Sequence, residues 1–96
     1  MGRHLVELAK GPACDHSRGR REQAGWDEHA AFMDALVADG FIVLGGPTGP
    51  GGNGNSVLVV EEHDELAVRA RLHDDPWHGS LLEIESVRPW SIWLGG

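Results

Sequence analysis

The chain has 96 residues, 41% of them hydrophobic, with eight Lys/Arg against fifteen Asp/Glu for a formal charge of −7. That length makes one domain near the small end of what is stable alone, and the apolar content is that of a folded protein rather than a disordered one. The negative charge opposes nucleic-acid phosphates and anionic lipid, and no Lys/Arg stripe with interleaved aromatics overrides it, so neither nucleic acid nor membrane is an expected partner.

"HLVELA", residues 4–9, is a short apolar run ending at Gly11-Pro12 and predicts a first strand. The apolar run of "MGRHLVELAKG" is too short for a signal peptide, Val6 breaks the myristoylation pattern, and no segment approaches membrane-spanning length. Cys14 is the sole cysteine, so no internal disulfide can form, and the expectation is a soluble protein of the reducing cytoplasm. "GPACDHSRGRREQAG" is polar and without period, a loop tightening towards helix near Arg21 to Gln23. Its "RGRR", Arg18 to Arg21, is the chain's local basic excess, either a solvated loop or a seat for a small anion.

"GWDEHAAFMDALVADG", residues 25–40, reads as one helix with Gly40 as its left-handed cap. At 100° per residue, Trp26, His29, Ala30, Met33, Leu36 and Val37 share one side. A histidine therefore stands in an otherwise apolar stripe, as a satisfied core residue or as the working part of a pocket. "FIVLGG", residues 41–46, is continuously apolar and β-branched, which predicts an interior strand buried on both faces and closed by Pro47. "TGPGGNGN" is a flexible connection into a second such strand, "SVLVVEE", making a hairpin. Asp64 offers a side-chain cap to a short helix, "ELAVRARLH", with Leu66, Ala67 and Ala70 expected against the sheet. After Pro76, "SLLEIESV", residues 80–87, alternates Leu82 and Ile84 against Glu83 and Glu85 as a strand with one wet face, and "RPWSIWLGG" adds an extended tail.

The order β, α, β, β, α, β predicts an α+β, ferredoxin-like domain: a four-stranded antiparallel sheet with both helices on one face. The other face then needs cover, and so short a chain has no third layer to give. A second copy packed sheet to sheet is the expected solution, with Trp90 and Trp93 at the interface of a homodimer.

Several apparent motifs fail on chemistry. Gly49, Gly51 and Gly54 match G-x-G-x-x-G literally, yet the next element is a strand and Pro50 lacks a donor N–H, so no cofactor is expected there. Cys14, Asp15 and His16 lack the paired spacing of a zinc site, and His63, His73 and His78 suggest no metal either. No Ser or Cys stands in a nucleophile motif. What survives is His29 and, in "HDDPWHGS", Asp75, held extended by Pro76.

"GWDEHAAFMDALVADGFIVLGGPTG", then "DDPW", then "IESVRPWSI" resemble the YCII-related (YciI-like) proteins of the dimeric α/β-barrel superfamily, from about Arg21 to Trp93. The resemblance implies a single domain over the whole chain, a dimer closed by sheet-to-sheet packing, and a cleft with a His/Asp dyad corresponding to His29 and Asp75. The surrounding motif residues, Arg21, Trp26, Gly46, Pro47 and Trp77, are the implied ligand-binding set. Family members include a dehydrochlorinating enzyme of aromatic breakdown. In such a dyad the carboxylate would fix the imidazole tautomer and stabilise the imidazolium, a proton-transfer device typically worth ~10²–10⁴ in rate. The functions to be weighed are a cofactor-free isomerase or lyase acting on a small organic acid or hydroxylated aromatic, a non-catalytic ligand-binding or assembly module, and an accessory subunit of a larger enzyme.

Overall fold

The computed structural model describes residues 2–95. Its elements are β1 (Arg3–Lys10), α1 (Trp26–Ala38), β2 (Ile42–Pro47), β3 (Ser56–Glu61), α2 (Glu65–His73) and β4 (Leu82–Pro89), with single 3-10 turns at Arg20–Glu22 and Pro50–Gly52. The strands form one antiparallel sheet in the order β2-β3-β1-β4, which is the ferredoxin-like βαββαβ arrangement. Among the described residues no helix is long and apolar enough to cross a membrane.

One face of the sheet carries the core. Val6 and Leu8 of β1, Leu58 and Val60 of β3, Ile42, Leu82 and Val87 pack with Leu36 of α1 and Val68 and Leu72 of α2 in a single buried cluster, so both helices cover the same side. Because side chains alternate along a strand, Leu5, Val57 and Val59 point to the opposite face, where Leu5 pairs with Val59. On α2 the sheet contact is made by Val68 and Leu72. Leu66, expected inward, is exposed, since the helix is rolled so that its valine and second leucine meet β4 instead.

Two bulges shape the sheet's borders. In β4 the pairing steps from Glu7–Ser86 to Leu8–Ile84, leaving Glu85 as the extra residue. The bulge inverts the alternation, so the inward set continues at Val87 rather than Ser86. In β2 the step from Ile42–Val60 to Leu44–Val59 leaves Val43 extra. β2 is an edge strand, not the interior strand its apolar run predicts: Val43 is 43% and Leu44 64% exposed. Its first residue, Ile42, and the preceding Phe41 enter the core. The rest of its apolar character serves surfaces other than that core.

α1 ends as its sequence predicts. Gly40 is left-handed at φ +81, its N–H donates to the Val37 carbonyl, and the Phe41 N–H reaches the Leu36 carbonyl at 3.0 Å, which delivers Phe41 back into the core. The long loop before α1 is tied by a buried Gln23, whose amide accepts from the Asp15 N–H and donates to the carbonyls of Asp15 and Arg18. Asp15 in turn accepts from the hydroxyl and N–H of Ser17, and the hydroxyl bond above all holds its carboxyl below the usual carboxylate range. At the other end of the chain Trp93 is 89% exposed, and the tail meets the sheet where the Trp90 N–H donates to the Arg3 carbonyl.

Candidate active site

α1 and the edge strand β2 diverge above the sheet and leave a cleft of about 530 Å³. Its wall on the helix side is Trp26, His29, Ala30, Met33 and Val37 with the charged Asp34, and its floor includes Leu8, Leu58 and Leu82. The opposite wall is thin because β2 turns to glycine there. At Gly45 a Cβ would stand 2.6 Å from Leu58 Cδ2 and 2.8 Å from the Val57 carbonyl oxygen, so no larger residue fits without displacing β3. The open wedge thus follows from sequence: an apolar helix stripe facing a strand with no side chain at a critical point.

His29 is the polar group of that helix stripe and is only 6% exposed. It sits one turn into α1, and its Nδ1 meets both carboxylate oxygens of Asp75 at 2.9 Å. Asp75 is buried as well, in the turn after α2, where its Oδ1 also accepts the Trp77 N–H at 2.9 Å. A carboxylate accepts, so Nδ1 is the donor of this contact and Nε2 is the ring nitrogen left free of it. Among the described residues Nε2 has no hydrogen-bond partner, and it is not among the fully buried unpaired atoms, so it is reached from outside. The side chain of His29 thereby lines the cleft with one ring nitrogen unpaired among the described residues.

Trp77 completes the mount. Its indole stacks on the imidazole with ring centres 4.1 Å apart and planes 4° from parallel, while its Nε1–H donates to the Ala24 carbonyl at 2.8 Å. Trp26 leans on both rings, with centroids 5.9 Å from His29 and 5.8 Å from Trp77. The imidazole thus lies between a carboxylate at its edge and the face of an indole.

The loop that enters α1 is adjusted to this stack. Gly25 is left-handed at φ +77, and a Cβ there would stand 3.2 Å from Trp77 Nε1. Gly25→Ala is expected to cost roughly 1–2 kcal/mol, from the left-handed backbone alone, before any shift of Trp77. Urea unfolding measures this, with the His29 ring resonances reporting whether the stack has moved.

The residues expected at the site fall into three positions. His29, Trp26, Gly46 and Pro47 line the cleft. Asp75 and Trp77 stand behind His29 and do not line it. Arg21 is exposed on the outer side of Trp26, its guanidinium carbon 6.0 Å from the ring centre, and it also stays out of the cleft. The arginine that lines the cleft is Arg20. Sequence reasoning missed it, and missed Gly45, because the period that orients α1 begins only at Trp26 and a loop of three arginines gives no sign of which one turns inward. Among the described residues no three His, Cys, Asp or Glu side chains converge as metal ligands, although the His73 and His78 rings approach to 4.8 Å. His4 is likewise buried, with Nδ1 2.8 Å from the Glu62 carbonyl, as a histidine that only joins β1 to the end of β3.

Comparisons with protein-family models, with curated proteins and with solved structures gave no match for this chain.

Proposed function

We propose that the protein is a small cofactor-free enzyme that moves a proton on a small organic acid or hydroxylated aromatic, in an isomerisation or an elimination. His29 Nε2 is the general base and then, as imidazolium, the general acid; Asp75 orients the ring and stabilises its charge. The observation that carries this reading is the polarised imidazole itself: one nitrogen is fixed by a buried carboxylate, and the other has no protein partner among the described residues while its side chain lines an apolar cleft. In the reaction a C–H or phenolic O–H proton passes to Nε2 and its electron pair enters the substrate's conjugated system. The pair then collects a proton from the imidazolium at another carbon, or expels a leaving group such as halide.

The resemblance of "GWDEHAAFMDALVADGFIVLGGPTG", "DDPW" and "IESVRPWSI" to YCII-related proteins supports the same reading, and with it a homodimer at work in the cytoplasm. The half-buried, apolar Leu5 and Val57 on the helix-free face, beside the already buried Val59, are where the second copy would pack.

Solvent exchange tests the chemistry without knowledge of the physiological substrate. The protein is incubated in D₂O with a panel of enolisable keto acids, unsaturated lactones and hydroxybenzoates, and loss of carbon-bound protons is followed by NMR. Exchange on at least one compound, slowed ~10²–10⁴-fold by His29→Asn, is the expected result. Exchange indifferent to His29→Asn overturns the mechanism. A second reading, a ligand-binding module without turnover, draws on the fact that His29 and Asp75 satisfy one another much as His4 satisfies the Glu62 carbonyl. Binding of panel compounds with no exchange would select it.

A further inference from the structure

Arg20 is set apart from the other arginines that line cavities or face acids. Arg3, Arg18, Arg69 and Arg71 each lie within salt-bridge distance of a carboxylate, whereas among the described residues Arg20 has none. It is half-buried and held instead by neutral groups: Nη1 donates to the Gly52 carbonyl at 2.9 Å and Nη2 to the Gly54 carbonyl at 3.3 Å. Those two contacts use two of the five N–H donors of a guanidinium. A chain with fifteen acidic residues has thus placed a cation with no ion-pair partner among the described residues in the wall of a largely apolar cleft, whose one acidic lining residue is the exposed Asp34.

The position of Arg20 adds a second observation. The residue borders not only the cleft of about 530 Å³ but also a smaller cavity of about 50 Å³, whose walls include Lys10, Arg18 and Gln23. Lys10 is tied to the Asn53 carbonyl, on the same glycine loop that anchors Arg20. The "GPGGNG" stretch is therefore not a phosphate loop; its carbonyls aim cationic side chains at the seam between an apolar cleft and a small cation-lined one. The loop is also closed by its own backbone, the Gly54 N–H donating to the Thr48 carbonyl at 2.8 Å and the Thr48 N–H to the Asn55 carbonyl at 2.9 Å.

We infer that Arg20 anchors the carboxylate of the ligand, and that the ligand is a small monoanionic acid with a flat apolar body lying along α1 and β2. The inference rests on the cleft being the substrate site proposed above, and it narrows the substrate class from acids or neutral hydroxylated aromatics to acids. Arg20 is then a specificity-determining residue, and a neutral analogue of the same shape forfeits the charge-assisted hydrogen bonds.

Benzoate and benzyl alcohol are the probes, being alike in shape and different in charge. Titrations followed by ¹H–¹⁵N NMR are expected to show benzoate shifting the Trp26, Met33 and Arg20 signals, with benzyl alcohol at least tenfold weaker. Arg20→Gln should reduce benzoate to the level of benzyl alcohol, Arg20→Lys should restore part of the difference, and Arg88→Gln, exposed on β4, should leave it intact. An unchanged urea midpoint checks that each variant is folded, and the lysine variant keeps the test decisive if the glutamine variant is not. Equal binding of the two probes, wild-type benzoate affinity in Arg20→Gln, or dependence on Arg21 instead overturns the inference. Such an outcome leaves His29-dependent exchange on neutral carbon acids standing, whereas benzoate binding through Arg20 with no exchange on any compound would remove the proposed chemistry and keep the ligand class.

Discussion

Replacing His29 by leucine is expected to lower stability by about 3 kcal/mol, the usual cost of leaving a buried carboxylate short of its hydrogen-bond donor. The leucine itself suits the stripe of α1, so packing is not the cause. The loss comes from Asp75, whose carboxylate would remain buried with only the Trp77 N–H to satisfy it. A second change, Asp75→Asn, is expected to recover much of the loss, because a neutral amide oxygen still accepts from Trp77. Urea unfolding of the single and double variants closes the cycle, with a coupling energy of order 1–3 kcal/mol between the two positions. A His29→Leu protein as stable as the wild type would mean that the carboxylate has another way to be satisfied, and the mount of the imidazole would have to be redrawn.

Trp77→Ala is expected to be at least as damaging, at about 3–5 kcal/mol, since it empties a large buried site. The indole is 3% exposed, belongs to the core cluster, and fills the space between the turn after α2 and the imidazole. Trp77→Phe keeps a flat ring against His29 but leaves the Ala24 carbonyl without its donor, a loss nearer 1 kcal/mol. For a domain of this size each kilocalorie lowers Tm by roughly 4–8 °C, so thermal scans separate the two variants clearly. The pair also divides two roles of Trp77. If the phenylalanine variant retains the orientation of His29, seen in its ring resonances, the stack alone positions the imidazole; if not, the Ala24 bond does.

Much of this architecture was legible in the sequence because it depends on periodicity and punctuation. The 3.6-residue period of Trp26, His29, Met33 and Leu36 orients α1, Gly40 stops it, Asp64 caps α2, and Pro76 ends it, all by local chemistry that acts wherever the segment lies. The pairing of His29 with Asp75 is different in kind. The two are 46 residues apart, so resemblance to known motifs could suggest it, but no spacing rule within the chain could. Strand position was not legible either. A run such as "FIVLGG" reads the same whether its apolar side chains meet a core or line the mouth of a cleft, and only the pairing order makes β2 an edge. Arg20 escaped for a related reason: its direction is set by two carbonyls of a glycine loop 32 and 34 residues away.

The bulge at Val43 has a further effect on how this protein behaves when crowded. An unpaired border strand with exposed valine and leucine is a template for runaway chain-to-chain zippering. Here the extra residue breaks the regular spacing of outward amides, two glycines follow with no side chains to interdigitate, and Pro47 withholds a donor at the end of the strand. The same irregularities that leave room for a small guest therefore deny purchase to a fibril.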